Sequence, residues 1–126
     1  MELTKNETEI MDVLWKEGRP LSRTEIVDLS PPDKTWKDSS IHILLNSLLR
    51  KEAIREAGFI RAGKGFGRTF EPSISQEDFY AEFLSDAARK VNSTTFFSAL
   101  FRDESITMDT LLELERMIEK KKEELK

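Results

Sequence analysis

The residues most able to do chemistry lie between Asp38 and Glu52. There Ile41, Leu44, Leu45 and Leu48 fall at i, i+3, i+4 and i+7, the spacing of a single buried helical stripe. The side opposite that stripe holds Ser39, Ile43, Asn46 and Arg50, flanked by Ser40, His42 and Ser47. Small hydroxyls and an amide reach base edges, and asparagine suits a bidentate contact with adenine. Ile43 is the odd member, because an apolar residue opposite a buried stripe faces water unless something covers it. It either meets a thymine methyl in a major groove, or is a scattered surface residue, or packs on the loop at Trp36. Lys34, Lys37, Arg50, Lys51, Lys64 and Arg68 could position phosphates, although any one of them alone reads as a solvated charge. Their grouping at one helix entry and one hairpin tip favours the phosphate role. Lys64 and Arg68 stand among Gly63, Gly65 and Gly67, where backbone can approach a phosphate closely.

Other chemistry finds little support. The chain has one histidine and no cysteine, which excludes disulfides and thiolate catalysis and leaves no set of ligands for a transition metal. His42 reads as a surface side chain rather than a ligand or base. Ser39 and Ser40 lack a base partner, since neighbouring helical positions diverge by about 100°. The Gly-rich tip lacks the Lys-Ser/Thr of a nucleotide loop. No enzyme, cofactor or metal is expected.

The elements that must position these residues follow from their caps. Thr4 to Glu7 and Ser22 to Glu25 each fit a capping box, in which hydroxyl and carboxylate satisfy each other's backbone donor. The first opens a helix to about Glu17, with Ile10, Met11, Val13, Leu14 and Trp15 apolar, stopped by Gly18 and Pro20. The second opens a short helix with Ile26, Val27 and Leu29 inward, broken at Ser30-Pro31-Pro32-Asp33. The third helix runs from about Asp38 to Glu52. Two extended runs, Ile54–Ala62 and Arg68–Pro72, flank the glycines and predict a β-hairpin. Ser75 starts a further helix with Phe79, Tyr80, Phe83, Leu84, Ala87 and Val91 on one face. A short helix holds Phe96, Phe97, Leu100 and Phe101. Thr107 caps a last one with Leu111, Leu114, Ile118 and Leu125, ending in Lys120-Lys121-Lys122. The expected fold is mainly α with a small β-hairpin. Residues 1–72 would form a winged helix-turn-helix domain and residues 73–126 a helical dimerisation domain, parting near Pro72-Ser73-Ile74.

Composition is consistent with that order. At 126 residues, 38% hydrophobic and 35% charged, with mean hydropathy -0.49, the chain is too apolar to be disordered. No apolar run approaches the roughly 20 residues that span a bilayer, so membrane insertion is not expected. The opening residues lack the apolar stretch of a signal peptide, and the expected setting is the cytoplasm. The net charge of -4 hides a division: residues 34–72 carry eight basic and four acidic side chains, whereas the segments on either side are each net -4. Salt screens charge beyond about 8–10 Å, so the local field governs partner choice. Residues 73–126 hold five of the eight phenylalanines, Phe79, Phe83, Phe96, Phe97 and Phe101. Three short helices bury little surface alone, which points to a second copy as the cover.

These motifs resemble the penicillinase-repressor group of bacterial transcriptional regulators, which includes copper-responsive members. The resemblance rests on Leu3-Thr4 leading into Glu9-Ile10-Met11-Asp12-Val13-Leu14-Trp15, on Thr24-Glu25-Ile26-Val27, on Ser40-Ile41 with Leu44-Leu45 and Leu48, and on Phe70-Glu71-Pro72. It implies a homodimeric repressor on dyad-symmetric double-stranded DNA operators, with Phe79, Phe83, Phe96, Phe97, Leu100, Phe101, Leu111, Leu114 and Ile118 toward the dimer interface. In the β-lactam branch it implies a membrane-embedded sensor protease, or another inducer-linked protein, as partner. Three departures stand out. The cysteine-rich copper motif is absent. The Asn-Phe bond cut in the β-lactam branch is matched here by Leu100-Phe101, a candidate cleavage site by position only. The third helix carries His42, Ile43, Asn46 and Ser47 where those repressors have basic and hydroxyl groups, so the operator does not carry over. The alternative is a winged-helix module that binds a protein, which the base-poor third helix favours slightly. Salt separates the two, since phosphate contacts weaken steeply with salt and an apolar interface barely responds.

Overall fold

Thr4 sets the start of the first helix. In the computed structural model, which describes residues 1–62 and 65–126, its hydroxyl accepts the Glu7 amide at 3.2 Å while the Glu7 carboxylate accepts the Thr4 amide at 2.8 Å. Helix α1 (Lys5–Glu17) then runs to Gly18, whose left-handed backbone (φ 66°) ends it. Ser22 repeats the reciprocal cap with Glu25 and opens α2 (Arg23–Leu29). Both capping boxes form as expected. Just before α2, Leu21–Ser22 make a two-residue strand, β1, that pairing patterns too short to see in sequence had concealed.

The third helix is shorter than its periodicity suggests. Asp38–Ser40 form one 3₁₀ turn, and α3 proper spans Ile41–Arg50. Its end at Lys51-Glu52 is a Schellman turn: the Ala53 amide donates to Leu48 and the Glu52 amide to Leu49. Glu52 occupies the left-handed position (φ 60°), where glycine is the usual choice. Ala53 and Leu48 are both fully buried beside this turn, and their packing holds it closed.

Strands β2 (Ile54–Ala62) and β3 (Gly65–Pro72) form the expected hairpin, and β1 adds to the far edge of β3, giving an antiparallel sheet ordered β1-β3-β2. The ladder slips between Glu56 and Gly58, a bulge that leaves Ala57 unopposed, and Gly58 takes φ 126° there. The core joins Ile10, Met11 and Leu14 of α1, Ile26 of α2, Ile41, Leu45 and Leu48 of α3, and Phe70 of β3, with Trp36 from the α2–α3 loop. Leu29 is exposed instead of inward, because α2 ends at it and Ser30 turns the chain away.

Helices α4 (Gln76–Lys90), α5 (Ser93–Phe101) and α6 (Met108–Glu124) follow, with Asn92 and Thr107 capping the last two. The chain divides into two compact units, Met1–Leu84 and Ser85–Lys126. The first therefore reaches past the break expected at Pro72-Ser73-Ile74. The reason is aromatic: the Trp15 indole donates to the Ile74 carbonyl at 3.0 Å and packs with tilted rings against Phe79 and Tyr80, centroids 5.5 and 6.2 Å away. Phe79, expected at a dimer interface, is thereby buried within the first unit.

Candidate nucleic-acid interface

Acids of α1 hold the loop that leads into α3 and the end of α3 itself. At its entry, the Glu9 carboxylate accepts the Thr35 amide at 3.1 Å and the Thr35 hydroxyl at 2.6 Å. At its exit, Glu7 accepts the Ser47 hydroxyl at 2.6 Å and the Lys51 ammonium at 2.6 Å while still capping α1. Glu7 is 1% exposed, so its burial alone would raise the carboxyl pKa. Lys51, Ser47 and Thr4 together outweigh that and hold it at about 2. A single buried carboxylate thus ties the start of one helix to the end of another. Sequence reading saw Glu7 only as a cap; its burial depends on where α3 lands.

That network engages two residues expected at the DNA: Ser47 and Lys51 both donate to Glu7 on α1. Lys34 is also committed: its ammonium pairs with Asp38 at 2.7 Å and sits 5.2 Å from the centre of the Trp36 ring. Lys64 lies outside the described residues. Arg68 pairs with Glu56 across the hairpin and lies over the Phe70 ring at 5.4 Å. Lys37 and Arg50 are exposed and have no ion-pair partner among the described residues.

The outer side of α3 is open. Ser39, His42, Ile43 and Asn46 are exposed, and Ser40 is half-buried at the start of the helix. Ile43 is 71% exposed, while Trp36 is in the core, so packing of Ile43 on the Trp36 loop does not occur. Beside this face lies a cleft of about 250 Å³ between α2, α3 and β3, lined by Arg23, Thr24, His42, Asn46, Gly67 and Arg68 among others. Arg23 Nη1 donates to His42 Nε2 at 2.6 Å. Arg23 escaped the sequence reading, though a signal was present. A cation at the first position of a helix opposes the macrodipole, and such a placement asks for a reason.

In the second unit the expected interface residues sit mostly in water. Phe97, Leu100 and Phe101 on α5 and Leu111 and Ile118 on α6 are exposed; Phe96 and Leu114 are half-buried. Phe83, in the last turn of the first unit, is exposed as well. The Leu100-Phe101 bond lies at the end of α5, inside helical structure. Among the described residues no helix is long and apolar enough to cross a membrane.

The chain is 26% identical over 122 residues to an uncharacterized 16.5 kDa protein in the ptsI 3′ region of Latilactobacillus sakei, a match that covers 93% of this chain and 78% of that one. Among solved structures it is similar to the adhesin competence repressor of Streptococcus pyogenes, with 13% identity and a TM-score of 0.46 over 98% of this chain and 81% of that one. The penicillinase repressor family model matches residues 3–120, from the α1 cap through the winged unit and into α6. With that match spanning nearly all of the winged helix-turn-helix fold described above, the chain belongs to the penicillinase-repressor family of transcriptional regulators.

Proposed function

We propose that the protein is a sequence-specific DNA-binding repressor that acts as a homodimer on dyad-symmetric operators, with no enzymatic step. The observation that carries this reading is Ile43: a large aliphatic side chain is 71% exposed directly opposite the buried stripe of α3, beside exposed Asn46 and Ser39. A helix held at its entry loop and its end, and presenting an apolar group, an amide and hydroxyls, is suited to a major groove, where Ile43 would meet a thymine methyl and Asn46 an adenine. Lys37, Arg50, Arg68 and, beyond the described residues, Lys64 would position the backbone. Residues 1–72 would supply the DNA-binding part and residues 73–126 the dimer contacts. Exposed apolar residues on α5 and α6 support the second copy, since a surface of that kind is stable in water only when covered. Two winged units about 34 Å apart would then engage successive major grooves.

Operator occupancy would exclude polymerase. Release would come from an inducer-linked protein such as a sensor protease, with Leu100-Phe101 as the candidate bond; because it lies in helix, cutting there would require local unfolding. Selection of bound sequences from random duplexes, at two salt concentrations, tests the reading. A dyad-symmetric site with half-sites about one turn apart is the expected result. Recovery of no preferred sequence from dimeric protein would reject it in favour of a protein-binding winged helix.

A further inference from the structure

His42, on the flank of the expected base-reading face, is also in contact with Arg23 of α2. A guanidinium only donates, so the 2.6 Å contact from Arg23 Nη1 requires His42 Nε2 to be the unprotonated nitrogen of a neutral ring. Both side chains are exposed, and both line the cleft between α2, α3 and β3. Among the described residues the other charged group of that lining is Arg68, whose partner Glu56 stands on β2. The acid of α2's first turn, Glu25, pairs with Arg19 instead, and the other charge on α3 is Arg50, more than two turns further along. The two permanently charged residues of the cleft lining, Arg23 and Arg68, are therefore both cations. The acceptor that occupies Arg23 there is the imidazole, and a proton on that ring would remove it.

We propose that Arg23 and His42 form a proton-coupled clasp on the DNA backbone, in which each side chain, once released from the other, donates to its own phosphate. This rests on the DNA-binding reading above. With no phosphate present, the neutral ring accepts from Arg23, because two cations in contact repel. A phosphate oxygen entering the cleft takes over the Arg23 donor. The ring then gains a proton from water on Nε2 and becomes a second donor, to the neighbouring phosphate. DNA binding thus takes up one proton per protomer, and affinity rises as pH falls. His42 is the chain's one histidine, so its contribution can be isolated cleanly.

The test is binding of a fluorescent mixed-sequence duplex across a salt series, at pH 7.5 and pH 5.5, with the full chain. No operator needs to be known. In the wild type, the log–log salt slope should steepen by about one per engaged protomer at pH 5.5, as expected for one more neutralised phosphate. Affinity at moderate salt should rise about tenfold. His42→Gln keeps an acceptor for Arg23 but cannot titrate, and should show the same slope at both pH values. Arg23→Gln should bind less tightly at both pH values and keep the pH effect, because His42 still takes up the proton. Equal slopes at both pH values in the wild type, or a pH effect that survives His42→Gln, would overturn the clasp while leaving DNA binding intact. Failure of the wild type to bind the duplex at low salt at either pH would overturn the DNA-binding reading and the clasp with it.

Discussion

The two units of the chain spend their apolar residues in opposite ways. In Met1–Leu84 the large side chains converge: Ile10, Met11, Leu14, Leu21, Ile26 and Leu48 are fully buried, and even the aromatic residues of early α4 fold back onto Trp15. In Ser85–Lys126 helices α5 and α6 are also capped, by Asn92 and Thr107, yet Phe101 is 51% exposed and Met117 and Ile118 more than half so. Local signals of similar quality thus lead to a self-sufficient core in one case and an uncovered surface in the other. What differs is the number of layers. The first unit packs three helices against a sheet, whereas the second consists of the end of α4 with α5 and α6 and has no sheet of its own.

The sharpest way to break this contrast is to truncate one phenylalanine in each unit. Phe70→Ala should cost about 3–5 kcal/mol of unfolding free energy, because it leaves a cavity among α1, α3 and β3. Phe101→Ala should change unfolding of dilute protein little, and instead weaken self-association by about tenfold or more. Chemical denaturation and sedimentation of both variants would decide. A large loss of stability from Phe101→Ala at low concentration would show that α5 packs as tightly as the winged core.

Next in size is the buried carboxylate. Glu7 titrates near 2 rather than at its ordinary 4.5, so it binds protons less readily in the folded state. The stability it contributes is fully present above about pH 4.5 and is lost as pH falls toward 2. That amounts to about 3 kcal/mol, an upper figure because Lys51 is about one-third exposed and partly screened. Glu7→Gln should be less stable than wild type at neutral pH, and the two denaturation curves should converge by about pH 2. A constant difference across that range would mean that the charge is not what matters there.

Asn46→Ala tests the outward face of the same helix. It should leave stability unchanged and cost about 1–3 kcal/mol of discrimination at one base position, read from binding to a selected operator and its single-base variants. The smallest effect is expected at Glu52. Replacing it by glycine relieves a left-handed backbone in the Schellman turn, and should raise stability by up to about 1 kcal/mol despite glycine's greater freedom when unfolded. Thermal denaturation would show it as a rise of a few degrees. No rise would mean that the α3 turn holds Glu52 without strain.

Much of the fold was legible because its signals are local. A capping box needs four residues, a left-handed stop needs one glycine, and the stripe of Ile41, Leu44, Leu45 and Leu48 needs two turns. The chain alone therefore determined the helix starts at Thr4, Ser22 and Thr107, the hairpin, the core stripe of α3 and the family resemblance. Residues on the outer side of α3 were legible for the same reason, since being opposite a buried stripe is a property of the helix itself. What a polar side chain does at the margin of that stripe is another matter. Ser47 and Lys51 turned inward to Glu7 and Phe79 went to Trp15, each by contact with a neighbour distant in the chain. The two-residue strand at Leu21 exists because β3 lies alongside it. The meeting of Arg23 with His42 likewise required α2 and α3 to pack. Periodicity and capping act over a few residues and are written in order along the chain. Ion pairs, aromatic contacts and edge strands are set by which elements become neighbours, and only the tertiary structure decided that.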